Sequence, residues 1–394
     1  MSAKIKKISF VLIILILISI SYKIGYEQAL AQTFKIKKFT SEDLTVFFRV
    51  WNIINNNYVE ENKINKQKAI FEATRGLVKS LEDPHSEFLD EKQTSILNQD
   101  LSGSFGGVGM EIGIRKGILT VISPLEGTPA ERAGFKPGDQ ILKINGEDTL
   151  NMTIDEAVSK IRGKPGTEVV LTIFRENWQE PKDFKIIREI INIVAVKSKM
   201  IDSKIGYLKI NTFNENTYSE FKKAYENLER QGADRFIIDL RNNPGGYLHI
   251  VVQMSGLFLD KGTIVLKEVQ RNINKKGKRE DMIYSPGPGN FSKKVVVLIN
   301  RGSASASEIL AGALRDNLNV KLIGEKSYGK GSVQKPFIID NKMLKLTIAY
   351  WLTPKGEKIE GNGLKPDIEV KDTLLESTST DSILDKAIEV VKTL

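Results

Sequence analysis

The 394-residue chain contains no cysteine. That excludes a disulfide scaffold, a thiolate nucleophile, a cysteine-ligated metal site and a lipid-modified N-terminal cysteine. Histidine is almost as scarce, with His85 and His249 alone. A histidine-based zinc centre then lacks ligands, and a Ser-His-Asp triad has only two candidates for its base. Concentrated positive charge is missing too. The net charge is +9, which would suit nucleic acid or an anionic membrane surface. The lysines are scattered, however, and no basic cluster is interleaved with aromatic residues. The charge reads as a solvated lysine-rich surface, and nucleic acid is not an expected partner. No internal repeat is visible. What remains is ample apolar material, 41% of residues, enough for two or three domains with real cores.

Long apolar runs are rare as well, and the one that exists is terminal. Lys4, Lys6 and Lys7 precede an uncharged run from Ile8 to Tyr22. A basic head before such a run is an export signal. The run is short for a spanning helix and at the top of the range for a signal core. Ala29-Leu-Ala-Gln offers a cleavage site some way downstream. A cleaved signal and a retained anchor both stand, and in each the positive flank stays inside while the rest is exported. The expected location is the cell envelope, periplasmic or extracytoplasmic. The protein there is either soluble or anchored to the cytoplasmic membrane through residues 8–22.

Residues 40–98 read as helical. Val46, Phe47, Val50, Ile53 and Ile54 recur at helical spacing, as do Ile70, Ala73, Leu77 and Leu81. Asp83-Pro-His-Ser ends this block in a turn, where His85 reads as a local hydrogen bonder. From 99 to about 183 the chain changes character. Glycines at 103, 106, 107 and 109 open a set of short strand-like runs, Ile118–Val121, Gln140–Ile144 and Glu168–Phe174. Thr153–Ile161 reads as one amphipathic helix, with Thr153 and Glu156 at capping-box spacing. After Ile205, strands and helices alternate, which predicts a sheet between helices. Residues 268–293 are rich in lysine and glycine and read as an exposed excursion. Leu374–Ser379 reads as a linker into a final helix, Asp381–Leu394.

Three stretches carry chemistry. Asn300 to Glu308 (Asn-Arg-Gly-Ser-Ala-Ser-Ala-Ser-Glu) follows the apolar run Val295–Ile299 and precedes a helical pattern from Ile309 to Leu314. A strand, a small-residue turn and a helix place a serine hydroxyl near unpaired backbone N–H groups, which suits a nucleophile whose attack creates an oxyanion. The plainer reading is that Ser305 and Glu308 form a capping box. Gly324-Glu-Lys-Ser-Tyr-Gly-Lys-Gly nearly matches a phosphate-binding loop. But Gly331 stands where a serine or threonine should hold magnesium, and a strand-like run follows instead of a helix. Lys330 has another use. A serine needs a proton acceptor, and burial lowers a lysine pKa from about 10.4 toward a usable base. Gln334, four residues on, shares its face and could orient the amine. The plainer reading of both is a solvated turn lysine and a surface glutamine.

Two resemblances decide among these. Residues 99–183 resemble a PDZ domain: Gly106-Gly-Val-Gly-Met matches its carboxylate-binding loop, and Pro129-Ala-Glu-Arg-Ala-Gly-Phe-Lys-Pro-Gly-Asp-Gln-Ile-Leu matches the segment after it. Glycines there let successive N–H groups converge on a terminal carboxylate, beside a strand edge that can pair with a peptide. From about Phe47 to Val370 the chain resembles the carboxyl-terminal processing peptidases, or tail-specific proteases. The matching motifs are Asp83-Pro-His-Ser, the PDZ module, Asp239-Leu-Arg-Asn-Asn-Pro-Gly-Gly, Gly302-Ser-Ala-Ser-Ala-Ser-Glu-Ile, Gly329-Lys-Gly-Ser-Val-Gln, and Tyr350-Trp-Leu-Thr-Pro-Lys-Gly through Pro366-Asp.

The resemblance implies a mixed α/β architecture. A βα-repeat protease core similar to the crotonase-like and ClpP-like fold would carry an inserted PDZ domain. Expected segments are 1–31 signal or anchor, 32–98 helical region, 99–183 PDZ domain, 184–374 protease core and 375–394 linker and helix. It implies Ser305 as nucleophile, Lys330 as base and Gln334 as its support. Gly245, Gly246 and Ala306 would form the oxyanion hole, and Gly106, Gly107, Val108, Gly109 and Met110 would bind peptide. Arg162 would link peptide occupancy to the active site. The implied function is an exported serine endopeptidase that captures C-terminal tails of unfolded or tagged proteins. It needs no metal or cofactor. An adaptor or activator protein, membrane association through the N-terminal segment and a homo-oligomer remain open. One rival is a silent PDZ adaptor. The other is a triad enzyme using His249, although trypsin-like PDZ proteases put the catalytic domain first and carry a Gly-x-Ser-Gly-Gly turn, absent here.

Overall fold

The computed structural model describes residues 42–115, 117–176, 178–272, 277–291, 293–371 and 381–394. The expected export segment, with its Ile8–Tyr22 run and Ala29 site, and the expected linker Leu374–Ser379 lie outside the described residues. Among the described residues, no helix is long and apolar enough to cross a membrane. The chain divides into two units, one ending at Ile70 and the other beginning at Phe71.

The first unit holds helix α1 (Thr45–Asn57) and a short 3-10 turn, Glu61–Lys63. Its apolar positions recur at helical spacing as the sequence predicts, yet no residue of α1 is buried. Helix α2 (Lys66–Lys79) begins in this unit and ends in the next.

The second unit opens with β1 (Glu87–Leu89) and α3 (Glu91–Ser102). Asp90 caps α3 and Gln93 returns the bond, a capping box, and Gly103 closes the helix in the left-handed region. The PDZ-like module follows: β2 (Ser104–Gly107), β3 (Met110–Arg115), β4 (Ile118–Pro124), α4 (Pro129–Arg132), β5 (Gln140–Ile144), β6 (Glu147–Asp148), α5 (Ile154–Ile161), β7 (Glu168–Phe174), β8 (Lys182–Ile187) and β9 (Glu189–Asn192). Its sheet runs β3-β4-β5-β7-β8, so β3 is an edge strand. Val121, Ile141, Val169, Leu171 and Ile173 fill its core. Along β7, Val169, Leu171 and Ile173 alternate with more accessible neighbours, as a half-buried strand requires. The Thr153–Glu156 capping box forms as the spacing predicts. Strand β8 continues past residue 183 to Ile187.

The core sheet is built from β10 (Val196–Met200), β11 (Ile205–Ile210), β12 (Arg235–Asp239), β15 (Lys294–Ile299), β16 (Lys321–Gly324) and β19 (Ile368–Glu369). They lie in that order, all parallel except β10. Between them run α6 (Thr217–Arg230), α7 (Leu248–Phe258) and α8 (Ala306–Leu318), with α9 (Ser382–Thr393) last. Helices cover both faces. Phe221, Met254 and Leu310 share one apolar cluster with Phe236 and Val297, while Ile383, Ala387 and Val391 of α9 pack with Ile237 and Val296. The central strands are nearly continuous apolar runs, as a sheet covered on both faces demands.

A second sheet was not legible in the sequence. Strands β13 (Ile264–Arg271) and β14 (Lys278–Tyr284) form a hairpin where an exposed excursion was expected over 268–293. The hairpin joins β18 (Lys342–Leu352), which also pairs β1 and β17 (Ser332–Ile339). Lys278–Asp281 of β14 are four consecutive polar residues, and β13 follows Val265 and Leu266 with Lys267 and Glu268, so neither strand shows the apolar period that would announce it.

Candidate active site

The candidate residues gather where three adjacent parallel strands, β12, β15 and β16, reach their carboxyl ends, the usual location of sites in such sheets. Two turns leave this edge side by side. Asn300 Nδ2 donates to Asn242 Oδ1 (2.9 Å), the Asn242 amide donates back to Asn300 Oδ1 (2.9 Å), and the Ala304 amide donates to the Asn243 carbonyl (3.0 Å).

The three serines of the Ser-Ala-Ser-Ala-Ser run divide their tasks. Ser303 Oγ donates to the Leu240 carbonyl (2.8 Å) and Ser307 Oγ to the Asn243 carbonyl (2.9 Å), and both are fully buried. They staple one turn to the other. Ser305, between them, is partly exposed at the N-cap of α8, with φ 55° and ψ −116°. A non-glycine residue there is strained by roughly 1–3 kcal/mol, and strain of this kind concentrates at functional sites. The geometry is that of a sharp strand-to-helix turn that presents a nucleophile. The capping spacing is also realised: Glu308 Oε2 accepts the Ser305 amide at 2.9 Å. The cap and the exposed hydroxyl are therefore compatible readings of one turn.

Gly245 and Gly246 lie against this turn. A Cβ on Gly245 would stand 2.8 Å from Ser305 Cβ and 3.0 Å from the Ala306 nitrogen, and its φ is +105°. Only glycine permits that approach. The Gly245 amide itself donates to Asn243 Oδ1 (2.9 Å). Among the described residues, the amides of Gly246 and Ala306 meet no backbone or side-chain acceptor. Of the three residues expected to build an oxyanion hole, these two are the ones with N–H groups still available.

Lys330 sits in the loop between β16 and β17. Its flanking glycines let residues 359–363 close over it. The Gly361 amide donates to the Gly329 carbonyl (2.9 Å), Gly331 N–H reaches Glu360 Oε2 (2.8 Å), and a side chain on Gly331 would run into the Glu360 backbone. Partial burial depresses the Lys330 pKa below the ordinary lysine value. The positive charge of Lys345 adds to the fall, and Glu360 and Glu308 oppose it. The loop does not bind phosphate in the Walker manner, because it leads into strand β17 and not into a helix.

Glu308 is the residue the sequence reading undervalued. It is fully buried. Oε2 accepts the amides of Ser305 (2.9 Å) and Lys330 (3.0 Å), while Oε1 accepts Ser327 Oγ (2.5 Å) and the Gly329 amide (2.8 Å). Burial pushes its pKa up, against these four donors. The sequence does hold a signal: a lone carboxylate inside Ala306-Ser-Glu-Ile-Leu-Ala-Gly-Ala, a stretch that must be buried, needs donors nearby.

Gln334 lies in β17, where its side-chain N–H groups donate to Ser332 Oγ (2.9 Å) and Thr347 Oγ1 (3.1 Å). It is these hydroxyls that hold the amide. His249 does not join the cluster. Its side chain is 60% exposed, its Nε2 is 3.4 Å from Glu215, and its ring packs on Tyr247. His85 serves locally: its backbone amide donates to Asp83 (3.0 Å).

The expected peptide-binding residues form a separate group in the PDZ-like module. The Val108 carbonyl accepts from Ala130 (2.8 Å) and the Gly109 carbonyl from Thr128 Oγ1 (2.8 Å), which clamps the glycine loop beside edge strand β3. Met110 begins that strand. Gly106 accepts from Gly163 (3.1 Å), and Gly107 pairs with Glu189. Arg162, at the C-cap of α5, bonds Asp100 (2.7 Å) and lies over the Phe105 ring at 3.9 Å.

Comparison with known proteins agrees with this arrangement. Residues 204–370 match the model of peptidase family S41, residues 120–175 that of the PDZ domain, and residues 19–93 that of the activating protease CtpB N-terminal domain. The chain is 38% identical to the carboxy-terminal processing protease CtpA of Bacillus subtilis over 324 residues, 82% of this chain and 68% of that one. It is 40% identical over 339 residues to a probable CtpA-like serine protease of Staphylococcus aureus, 85% of this chain and 66% of that one. It thus spans about two thirds of the length of these relatives. A solved structure, the photosystem II D1 C-terminal processing protease, aligns with a TM-score of 0.53 at 26% identity, covering 90% of this chain and 98% of its own. With the sheet, the inserted module and the motifs all in the family's order, the chain belongs to the S41 family of serine-type peptidases, among the carboxy-terminal processing proteases.

Proposed function

We propose that the protein is an exported endopeptidase in which Ser305 attacks a peptide carbonyl and Lys330 takes its proton. The observation that carries this reading is the single carboxylate oxygen of Glu308, which holds the backbone amides of Ser305 and Lys330 at 2.9 and 3.0 Å. Two residues 25 positions apart are thereby fixed to one point. The Ser305 Oγ–carbonyl bond forms as the serine proton passes to the neutral Lys330 amine. The amides of Gly246 and Ala306 receive the negative charge on the carbonyl oxygen. Lys330 then gives the proton to the leaving amine, and water releases the acyl group. Gln334 supports the amine.

The PDZ-like module would capture the C-terminal tail of an unfolded or tagged protein. Its edge strand β3 can add a peptide strand, and the clamped loop Gly106–Met110 can receive the terminal carboxylate. Arg162, beside that loop, would pass occupancy to the core through Asp100 and Phe105. The basic head and apolar run of residues 4–22 support export to the cell envelope and association with the cytoplasmic membrane.

The test uses protein lacking residues 1–31 and its Ser305→Ala and Lys330→Ala variants, mixed with an unfolded protein ending in an apolar tail. Products are read by mass spectrometry across pH. The expected result is internal cleavage that rises with pH and is lost in both variants with folding retained. Cleavage by Ser305→Ala would remove the nucleophile from the proposal, and cleavage by Lys330→Ala would remove the base. A binding-only adaptor would bind the tail and cut nothing.

A further inference from the structure

Every backbone N–H and C=O of Gly329, Lys330 and Gly331 meets a partner in this chain. The Gly329 amide donates to Glu308 Oε1 (2.8 Å), the Lys330 amide to Glu308 Oε2 (3.0 Å) and the Gly331 amide to Glu360 Oε2 (2.8 Å). The Gly329 carbonyl accepts from the Gly361 amide (2.9 Å), and the Lys330 carbonyl from Trp351 Nε1 (3.2 Å). The Gly331 carbonyl accepts from the Trp351 amide (2.8 Å). Consecutive N–H groups between glycines are the material of an anion site, and the sequence here comes close to a phosphate-binding loop. In the fold the anions are internal. Glu308 and Glu360 take all three amides, so the backbone keeps none for a ligand. What the tripeptide still offers to a substrate is the Lys330 side chain.

Glu308 holds this loop from the side of helix α8. Two residues outside the catalytic stretches hold it elsewhere. Trp351 of β18 is fully buried, and an indole N–H only donates, so the sense of its bond to the Lys330 carbonyl is fixed. Its backbone amide takes the next carbonyl. One residue thus grips two successive peptide groups of the base loop. Glu360 follows Ile359, which is buried in the core cluster. Its backbone lies so near that a Cβ on Gly331 would stand 2.3 Å from the Glu360 nitrogen. Ser327 closes the same seam: its amide donates to the Leu364 carbonyl (3.0 Å), and its Oγ accepts from the Leu364 amide (2.6 Å). A lysine amine swings on a long flexible stem, and a base must come within hydrogen-bond reach of its proton. Fixing the root of that stem narrows where the amine can go.

We infer that Trp351 and Glu360 are positioning residues for the base: the indole N–H and the Glu360 carboxylate lock the peptide groups of Lys330 and Gly331 and so root the lysine side chain. The inference rests on the proposed serine–lysine reading. Glu360 also carries charge. Burial, and then the charge of Lys345, depress the Lys330 pKa, and Glu360 and Glu308 oppose them. The clamp and the charge of Glu360 can be separated, because a glutamine keeps an acceptor oxygen and loses the charge.

The experiment compares the full chain with its Glu360→Ala, Glu360→Gln and Lys330→Ala variants. A fourth protein carries benzothienylalanine at position 351, introduced by codon suppression; it has the shape of tryptophan with sulfur in place of N–H. The substrate is the unfolded apolar-tailed protein, and thermal unfolding is followed in parallel. The position-351 protein is expected to lose about five- to tenfold in kcat, the worth of one hydrogen bond. Its KM and its pH–kcat limb should stay in place. Glu360→Ala should lose about tenfold or more in kcat, with the limb moved to lower pH, because an ammonium without its countercharge gives up its proton more readily. Glu360→Gln should recover most of that kcat and keep the moved limb. Wild-type kcat in the position-351 protein or in Glu360→Ala, beside an inactive Lys330→Ala, would overturn the inference alone. So would a KM that rises in step with the loss of kcat, which reports lost substrate binding, or no recovery in Glu360→Gln. An active Lys330→Ala would overturn the serine–lysine reading and this inference together.

Discussion

The amides of Ser305 and Lys330 share one acceptor, Oε2 of Glu308, at 2.9 and 3.0 Å. The turn that bears the proposed nucleophile and the loop that bears the proposed base are therefore registered by a single atom. Glutamine in place of Glu308 would keep the shape but not the pattern. One end of the amide would offer N–H to groups that are themselves donors, on the Ser305–Lys330 side or on the Ser327–Gly329 side. Leaving such groups unpaired costs about 1–3 kcal/mol. Glu308→Gln should fold with lowered stability and lose at least about tenfold in kcat. Peptide hydrolysis and thermal unfolding, measured together, check this.

Lys345 contributes a second charge near Lys330 and depresses its pKa, after burial, which is the larger cause. Cleavage should rise with pH along a limb governed by Lys330. Lys345→Gln should move that limb to higher pH, because removing a like charge makes the ammonium easier to keep. The same shift touches stability. Between the lowered pKa and the ordinary value near 10.4, the unfolded chain binds more protons at this site than the folded one. The contribution of Lys330 thus favours folding as pH rises through that window. A pH–rate profile of the two proteins decides the first point.

Gly245→Ala adds one methyl group. At φ +105° and 2.8 Å from Ser305 Cβ, it meets both backbone strain and a steric clash. The turn that carries Ser305 and Ala306 must shift, and misplacement by about 1 Å costs roughly a hundredfold in rate. Loss of cleavage with cooperative unfolding retained is the expected outcome.

Arg241 donates from Nε and Nη2 to Asp239 and from both Nη atoms to Asp381, the N-cap of α9, while Tyr207 donates to Asp239 (2.6 Å). Burial opposes the guanidinium charge, yet the two carboxylates hold its pKa above the usual range. Arg241→Met strands a fully buried carboxylate, a change that costs about 3–5 kcal/mol. Chemical denaturation should show a loss of that size. Asp381→Asn, which removes only the partly exposed partner, should cost much less.

The sequence made the local elements legible and left their meetings hidden. Gln140–Ile144 and Glu168–Phe174 appear with the expected bounds, because alternation and flanking turns act within one segment. Thr153 and Glu156 announced their helix for the same reason. Ser305 and Lys330 were singled out through motifs. Glu308 was read only as a cap, because its partners Ser327, Gly329 and Lys330 lie about twenty residues away and spacing along a helix says nothing of them. The bulge that sets Gln334 opposite Thr347 was invisible, because a one-residue slip in pairing leaves no mark on composition. The β13–β14 hairpin was missed because its strands carry runs of polar residues and no apolar period. The apolar face of α1 was read correctly as helical, yet periodicity alone did not say that none of its residues would be buried.

Strands β2 and β9 are the two connections between the PDZ-like module and the core, and they pair with each other from Ser104↔Asn192 to Gly107↔Glu189. The module is thus carried on a two-stranded ribbon. A two-stranded ribbon resists stretching and shear along its length more than it resists bending across it. Gly106 and Gly107 belong both to that ribbon and to the loop proposed to receive a tail carboxylate. A tail docked on the proposed loop would therefore pull on the ribbon itself, and would be a torque on the module as well as a ligand of it.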